Sequence, residues 1–251
     1  WHGGQLPNWL PYRYSFMLSF LMVRFAAEAF NNIDEIRSRS DKGIRILIEA
    51  LLLAGVTIMI IDNTRAVASI EHNIAQYWEM ILVQQGKEPP MHGASVGVST
   101  LLVWPMFERF AKEDLSKLDL ADIKARAISR EKRERWMRHA YGQEGGEAIM
   151  RENPGDFLTW EEQERRIRAA QARFADIQAV IAAMPPLKKI RQVMETLHAE
   201  MTPEEEHIPM DLLNRSMHCG KDYRTRYTLF KLLSECGLLE EYLADYPYPF
   251  E

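Results

Sequence analysis

Cysteine is scarce in this 251-residue chain: Cys219 and Cys236 are the two present, and no CxxC pair occurs. Neither a disulfide framework nor a thiolate zinc site can be built from them, which points to a reducing, cytoplasmic compartment. Charge of one sign is lacking too. The 31 Lys and Arg stand against 36 Asp and Glu, a formal net charge of −5, which argues against a nucleic-acid reader carrying a strongly basic face. No GxGxxG, GxxxxGK[ST] or GxSxG occurs, so the chain offers no recognisable nucleotide-binding or serine-hydrolase machinery. The most apolar uncharged run, ALLLAGVTIMII between Glu49 and Asp62, is twelve residues, short of the roughly 20 needed to cross a bilayer. It reads as a buried core helix, with no membrane span expected. The chain opens on Trp1 without an initiator methionine or a signal-peptide pattern, and the expectation is a piece of a longer protein.

What is present is a core. Apolar residues make up 47% of the chain and charged ones 27%, which excludes wholesale disorder. The charge is unevenly placed: residues 1 to 105 hold 8 basic and 9 acidic side chains, and the remaining 146 residues hold 23 and 27. The division expected is buried core helices over 1–110 and charged amphipathic helices over 111–251. Helical periodicity runs almost throughout and no stretch alternates long enough to argue a strand, so the fold class is all-α, a multi-helix bundle.

The spacing predicts a first helix over Tyr12–Arg37 and a second over Asp41–Ile61, both buried on most of their circumference. A third covers Ala66–Gln84, ending where Gly86 and Pro89-Pro90 force a turn, and a fourth starts near His92 and is broken or kinked at Pro105. Further helices are read over Leu118–Tyr141, from a capping box at Thr159 and Glu162 on to Met184, and after a second box at Thr202 and Glu205.

Chemistry concentrates on the third and fourth helices. His72, Gln76 and Glu79 follow the i, i+4, i+7 spacing that lines one helical face, with Ile70, Ile74, Tyr77 and Ile81 over much of the rest. His92 opens the next apolar helix beside Gly93. Two imidazoles on consecutive helices joined by a tight turn can point at one spot, which is how helix packings build metal sites; a catalytic zinc-like ion needs three protein ligands, with Glu79 or Asp62 candidates for the third. Each histidine read alone is equally a hydrogen-bonded core residue.

DKGIRILIEALLLAGVTIMIIDNTRAVASIEHNIAQYWEM followed by MHGASVGVSTLL, with the terminal RTRYTLFKLLSECGLLEEYL, resembles the C-terminal helical domain of the sn-glycerol-1-phosphate dehydrogenases, in the superfamily of iron-containing alcohol dehydrogenases and dehydroquinate synthases. The resemblance implies a divalent cation (zinc, nickel or iron) held by His72 of the EH pair and His92 of the HG pair. It places the family's aspartate ligand in a segment ahead of Trp1. It further implies Glu71 orienting the site, Arg65 toward a phosphorylated substrate, NAD(P) bound by an N-terminal nucleotide-binding domain that this chain lacks, a homodimer, and hydride transfer to dihydroxyacetone phosphate in phospholipid metabolism. Gln76 departs from the pattern, standing where many relatives have a second histidine. The alternatives are a non-catalytic helical interaction module derived from this domain, and a dehydroquinate-synthase-like lyase.

Overall fold

The computed structural model describes residues 27–61, 64, 67–153 and 157–247. Among them every regular element is helical: α1 (Ile33–Arg37), α2 (Asp41–Ile61), α3 (Ile70–Gln84), α4 (His92–Phe110), α5 (Leu120–Ala125), α6 (Arg130–Tyr141), α7 (Gln143–Glu152), α8 (Trp160–Ala172), α9 (Phe174–Ala182), α10 (Leu187–Leu197), α11 (Met210–Cys219), α12 (Leu229–Glu235) and α13 (Leu239–Tyr242). The all-α class holds. The chain divides into two compact units, Trp1–Ser69 with Pro186–Met201, and Ile70–Pro185 with Thr202–Glu251.

In the first unit α1 packs against α2 and α10. The α1–α2 turn is set by Ser40, whose hydroxyl accepts the Gly43 N–H at 3.0 Å and donates to the Glu35 carboxylate at 2.6 Å. Gly43 is required there: a Cβ at this position would lie 2.2 Å from the Glu35 carbonyl oxygen. The expectation that α2 is buried on most of its circumference is overturned. Gly43, Ile46 and Thr57 are buried, whereas Ile44, Leu47, Ile48, Leu51, Leu52, Val56 and Met59 are exposed, Met59 at 81%. Although its uncharged run is twelve residues, Asp41–Ile60 as a whole is long and apolar enough to cross a membrane, with 17% of its most apolar stretch buried. Hydropathy had been read as burial; a helix side can be apolar without having anything to pack on. The first helix expected, Tyr12–Arg37, falls largely outside the described residues.

The second unit is organised around α3. Ile70, Ile74, Tyr77, Trp78 and Ile81 recur at i, i+4, i+7, i+8 and i+11 and form one buried face, which buried Asn73, Ala75 and Leu82 widen on both sides. The two large rings also satisfy their polar ends: Tyr77 Oη donates to the Ala140 carbonyl at 2.5 Å and Trp78 Nε1 to Ser216 Oγ at 2.8 Å. Tyr77 meets Tyr141 edge-on at 5.1 Å, and Tyr141 donates to the Cys219 carbonyl at 2.6 Å. These bonds tie α3 to α6 and α11.

Several boundaries differ from the sequence reading. α4 runs unbroken through Pro105, which is exposed and gives up only its own amide bond. The helix expected over Leu118–Tyr141 is two, because Ser129 Oγ accepts the Lys132 N–H and starts α6 afresh. The Thr159 cap forms, accepting the Glu162 N–H, but the helix it opens ends at Ala172. There Gln171 Nε2 donates to the Leu115 carbonyl and Gln178 Nε2 to that of Ala111, so two tertiary bonds straddle the break. The box at Thr202 and Glu205 makes both reciprocal bonds, 3.0 and 3.2 Å, around a turn and not a helix.

Candidate metal centre

The site lies wholly within the second unit. α3 ends on Gly86 at φ +68, where the Gly86 and Lys87 N–H groups close onto the carbonyls of Val83 and Leu82. Pro89 and Pro90 then keep the chain extended until α4 begins at His92 and packs back along α3. This reversal sets the N-terminal turn of α4 beside α3.

It brings His72 and His92 together: their ring centroids are 5.6 Å apart with the planes at 63°. His72 Nδ1 is 2.9 Å from Glu71 Oε1, and His92 Nδ1 is 2.6 Å from Glu79 Oε1. An ionised carboxylate is acceptor-only, so each Nδ1 carries the hydrogen, and in the neutral imidazole Nε2 is then the nitrogen with the lone pair. With nitrogen–metal distances of about 2.0–2.1 Å in tetrahedral geometry, two imidazoles on one ion would hold their centroids about 5 Å apart. The 5.6 Å separation of the rings is compatible with two ligands of such an ion. Side-chain exposures of 25% for His72 and 49% for His92 leave the spot open to solvent.

Of the third-ligand candidates, Glu79 has its Oε1 engaged by His92 Nδ1. Among the described residues no group of three or more His, Cys, Asp and Glu is arranged to hold a metal. Asp62 and the proposed substrate contact Arg65 lie outside the described residues.

α3 and α4 also carry buried polar groups that, Gln76 apart, the sequence reading did not single out. Buried Ser99 Oγ lies within hydrogen-bond distance of the carbonyls of Glu71 and Ser95, at 2.8 and 2.7 Å, which fastens α4 to the first turn of α3. Ser95 Oγ donates to buried Glu206 at 2.9 Å. Arg226 Nη1 donates to Asn73 Oδ1 at 2.9 Å, while Asn73 Nδ2 and Gln76 Oε1 are buried without a hydrogen-bond partner. The RTRYT stretch carried the only hint of Arg226; Glu206 was hidden in the turn after Thr202.

Comparison with known proteins bears on both units. Residues 1–84, a third of the chain, match the family model described as Bacterial membrane protein YfhO. A far longer stretch is similar to dehydrogenases that use NAD(P), which gives the class: a helical region related to oxidoreductases. The relatives found are those whose family the motifs resemble, glycerol-1-phosphate dehydrogenases. The chain is 26% identical to the enzyme of Geobacillus stearothermophilus over 84% of this chain and 43% of the relative. It is 25% identical to that of Geobacillus thermodenitrificans over 88% and 46%. A shorter match to the enzyme of Halalkalibacterium halodurans reaches 34% over 33% of this chain and 21% of the relative. The chain thus spans less than half the length of the first two relatives. No solved structure matches.

Proposed function

We propose that the chain is the helical, metal-binding part of a glycerol-1-phosphate dehydrogenase-like oxidoreductase. The supporting observation is the convergence of His72 and His92 with both Nδ1 atoms already held by carboxylates. The reaction read here is reversible hydride transfer between NAD(P)H and dihydroxyacetone phosphate, with the nucleotide held by the part of the relatives that this chain does not span. A divalent cation, zinc, nickel or iron, would supply Lewis acidity at the substrate carbonyl. His72 and His92 would hold it, and Glu71 would fix the His72 ring. The carbonyl carbon takes the hydride and the oxygen a proton. Arg65 is the candidate cation for the substrate phosphate. A homodimer, a cytoplasmic location and a single functional domain over 1–251 belong to the same proposal.

The test is metal content. After equilibration with zinc or nickel and removal of excess, the chain should retain about one ion per molecule, and His72→Ala and His92→Ala should each lose it. Full retention in both variants removes the site.

A second reading concerns the first unit alone. The exposed apolar side of α2, together with the match of residues 1–84 to a membrane-protein family model, supports a contact with a lipid surface. Co-flotation with anionic vesicles, reduced in Leu51→Gln/Leu52→Gln, is the expected result; a chain that stays at the bottom of the gradient sinks that reading.

A further inference from the structure

Glu79 is free of substrate and ligand roles in the reading above, yet it makes the shorter of the two imidazole contacts, 2.6 Å against 2.9 Å for Glu71. We infer that Glu79 is the positioning residue for His92: its carboxylate accepts the Nδ1–H and fixes the ring tautomer, so that the His92 Nε2 lone pair is presented toward the same spot as that of His72. The inference rests on the metal-site reading for its purpose, but its geometry stands on the two contacts and the 5.6 Å ring separation.

Glu71 and Glu79 both belong to α3, eight residues apart, a little over two turns. Glu71 holds the histidine next to it in sequence. Glu79 reaches across to the following helix and holds the first residue of α4, where side-chain exposure is 49% and packing alone does little to fix a ring. One helix, seated in the core by Tyr77 and Trp78, therefore sets both imidazoles. An exposed His92 without Glu79 would turn freely about its side-chain bonds and populate either tautomer.

The experiment uses the whole 251-residue chain, metal-free and above the imidazole titration range, with side-chain nitrogen and carbon NMR shifts reporting each histidine's tautomer. Wild type should show Nδ1–H at both His72 and His92. Glu79→Ala should move His92 toward the Nε2–H form and leave His72 unchanged; Glu79→Gln, which keeps an acceptor oxygen, should restore Nδ1–H. Zinc affinity, measured by competition with a chromophoric chelator, should fall about 10–100-fold in Glu79→Ala and recover in part in Glu79→Gln. Circular dichroism melts confirm that the variants fold. An unchanged His92 tautomer in Glu79→Ala overturns the inference, as does zinc bound equally by wild type and Glu79→Ala, an outcome that leaves the metal-site reading intact. If wild type binds no zinc while the tautomer still follows residue 79, the metal-site reading falls and Glu79 keeps its role.

Discussion

His218 shows how a single buried side chain links stability to pH. Burial holds its imidazole below the ordinary 6.5, with Lys221 pushing the same way and the Nε2–H bond to the Tyr246 carbonyl, 2.8 Å, opposing. The unfolded chain therefore binds a proton at a pH where the folded one does not. This contribution is full above 6.5 and is lost as pH falls below it. His218→Gln, which keeps a donor for Tyr246, should flatten the decline in melting temperature just below 6.5; an identical decline in the variant contradicts the assignment. Tyr77→Phe deletes a buried donor to Ala140 and should cost about 1–2 kcal/mol in chemical denaturation. At this scale the sequence was legible where a motif carried a residue pair. The EH and HG pairs pointed to His72 and His92, and their convergence follows from the Gly86 and Pro89-Pro90 reversal that spacing already suggested. Glu79 was visible as a residue but not as the partner of His92, because helical spacing along α3 says nothing about which residue of α4 stands opposite. Ser95 with Glu206, and Asn73 with Arg226, join positions more than a hundred residues apart and left no local trace.

Helices, like residues, were legible where the signal was local. The capping group at Thr159 marks a start that the structure keeps, whereas the start at Ser129 lies inside the single helix expected over Leu118–Tyr141. The break between α8 and α9 depends on bonds to a distant turn and could not be read from its own residues. At Gly43 the usual rule is reversed. An interior helical Gly→Ala ordinarily stabilises by about 0.8–1 kcal/mol, but here the added methyl meets the Glu35 carbonyl. Gly43→Ala should therefore destabilise the first unit by about 1–3 kcal/mol in urea melts. The opposite face of α2 should be indifferent: Leu51 and Leu52 are 65% and 64% exposed, so polar replacements should shift unfolding by less than about 0.5 kcal/mol, while Ile46→Ala costs more. A large loss from the leucine replacements would mean that this face is packed in solution.

For the molecule as a whole, the sequence reading is one helical domain over 1–251, within which charge density separates residues 1–110 from 111–251. The structure divides at Ser69 and returns to the first unit for Pro186–Met201, because units are defined by which apolar faces meet and not by where charge accumulates. A chain begun at Ile70 should keep the second unit's cooperative melt and its protected α3. It should become sensitive to limited proteolysis within Leu187–Leu197, whose partner α1 is then gone; continued protection of that stretch would argue against the division. The same interleaving bears on how the protein is made. α1 and α2 leave the ribosome well before α10, which follows only after nearly the whole of the long central stretch. At roughly 5–20 residues per second, the nascent first unit waits on the order of ten seconds for its last helix. Throughout that interval α1 lacks one of its two packing partners, and the leucines, isoleucines and Met59 of α2, exposed in the finished fold as well, are already offered for capture by chaperones.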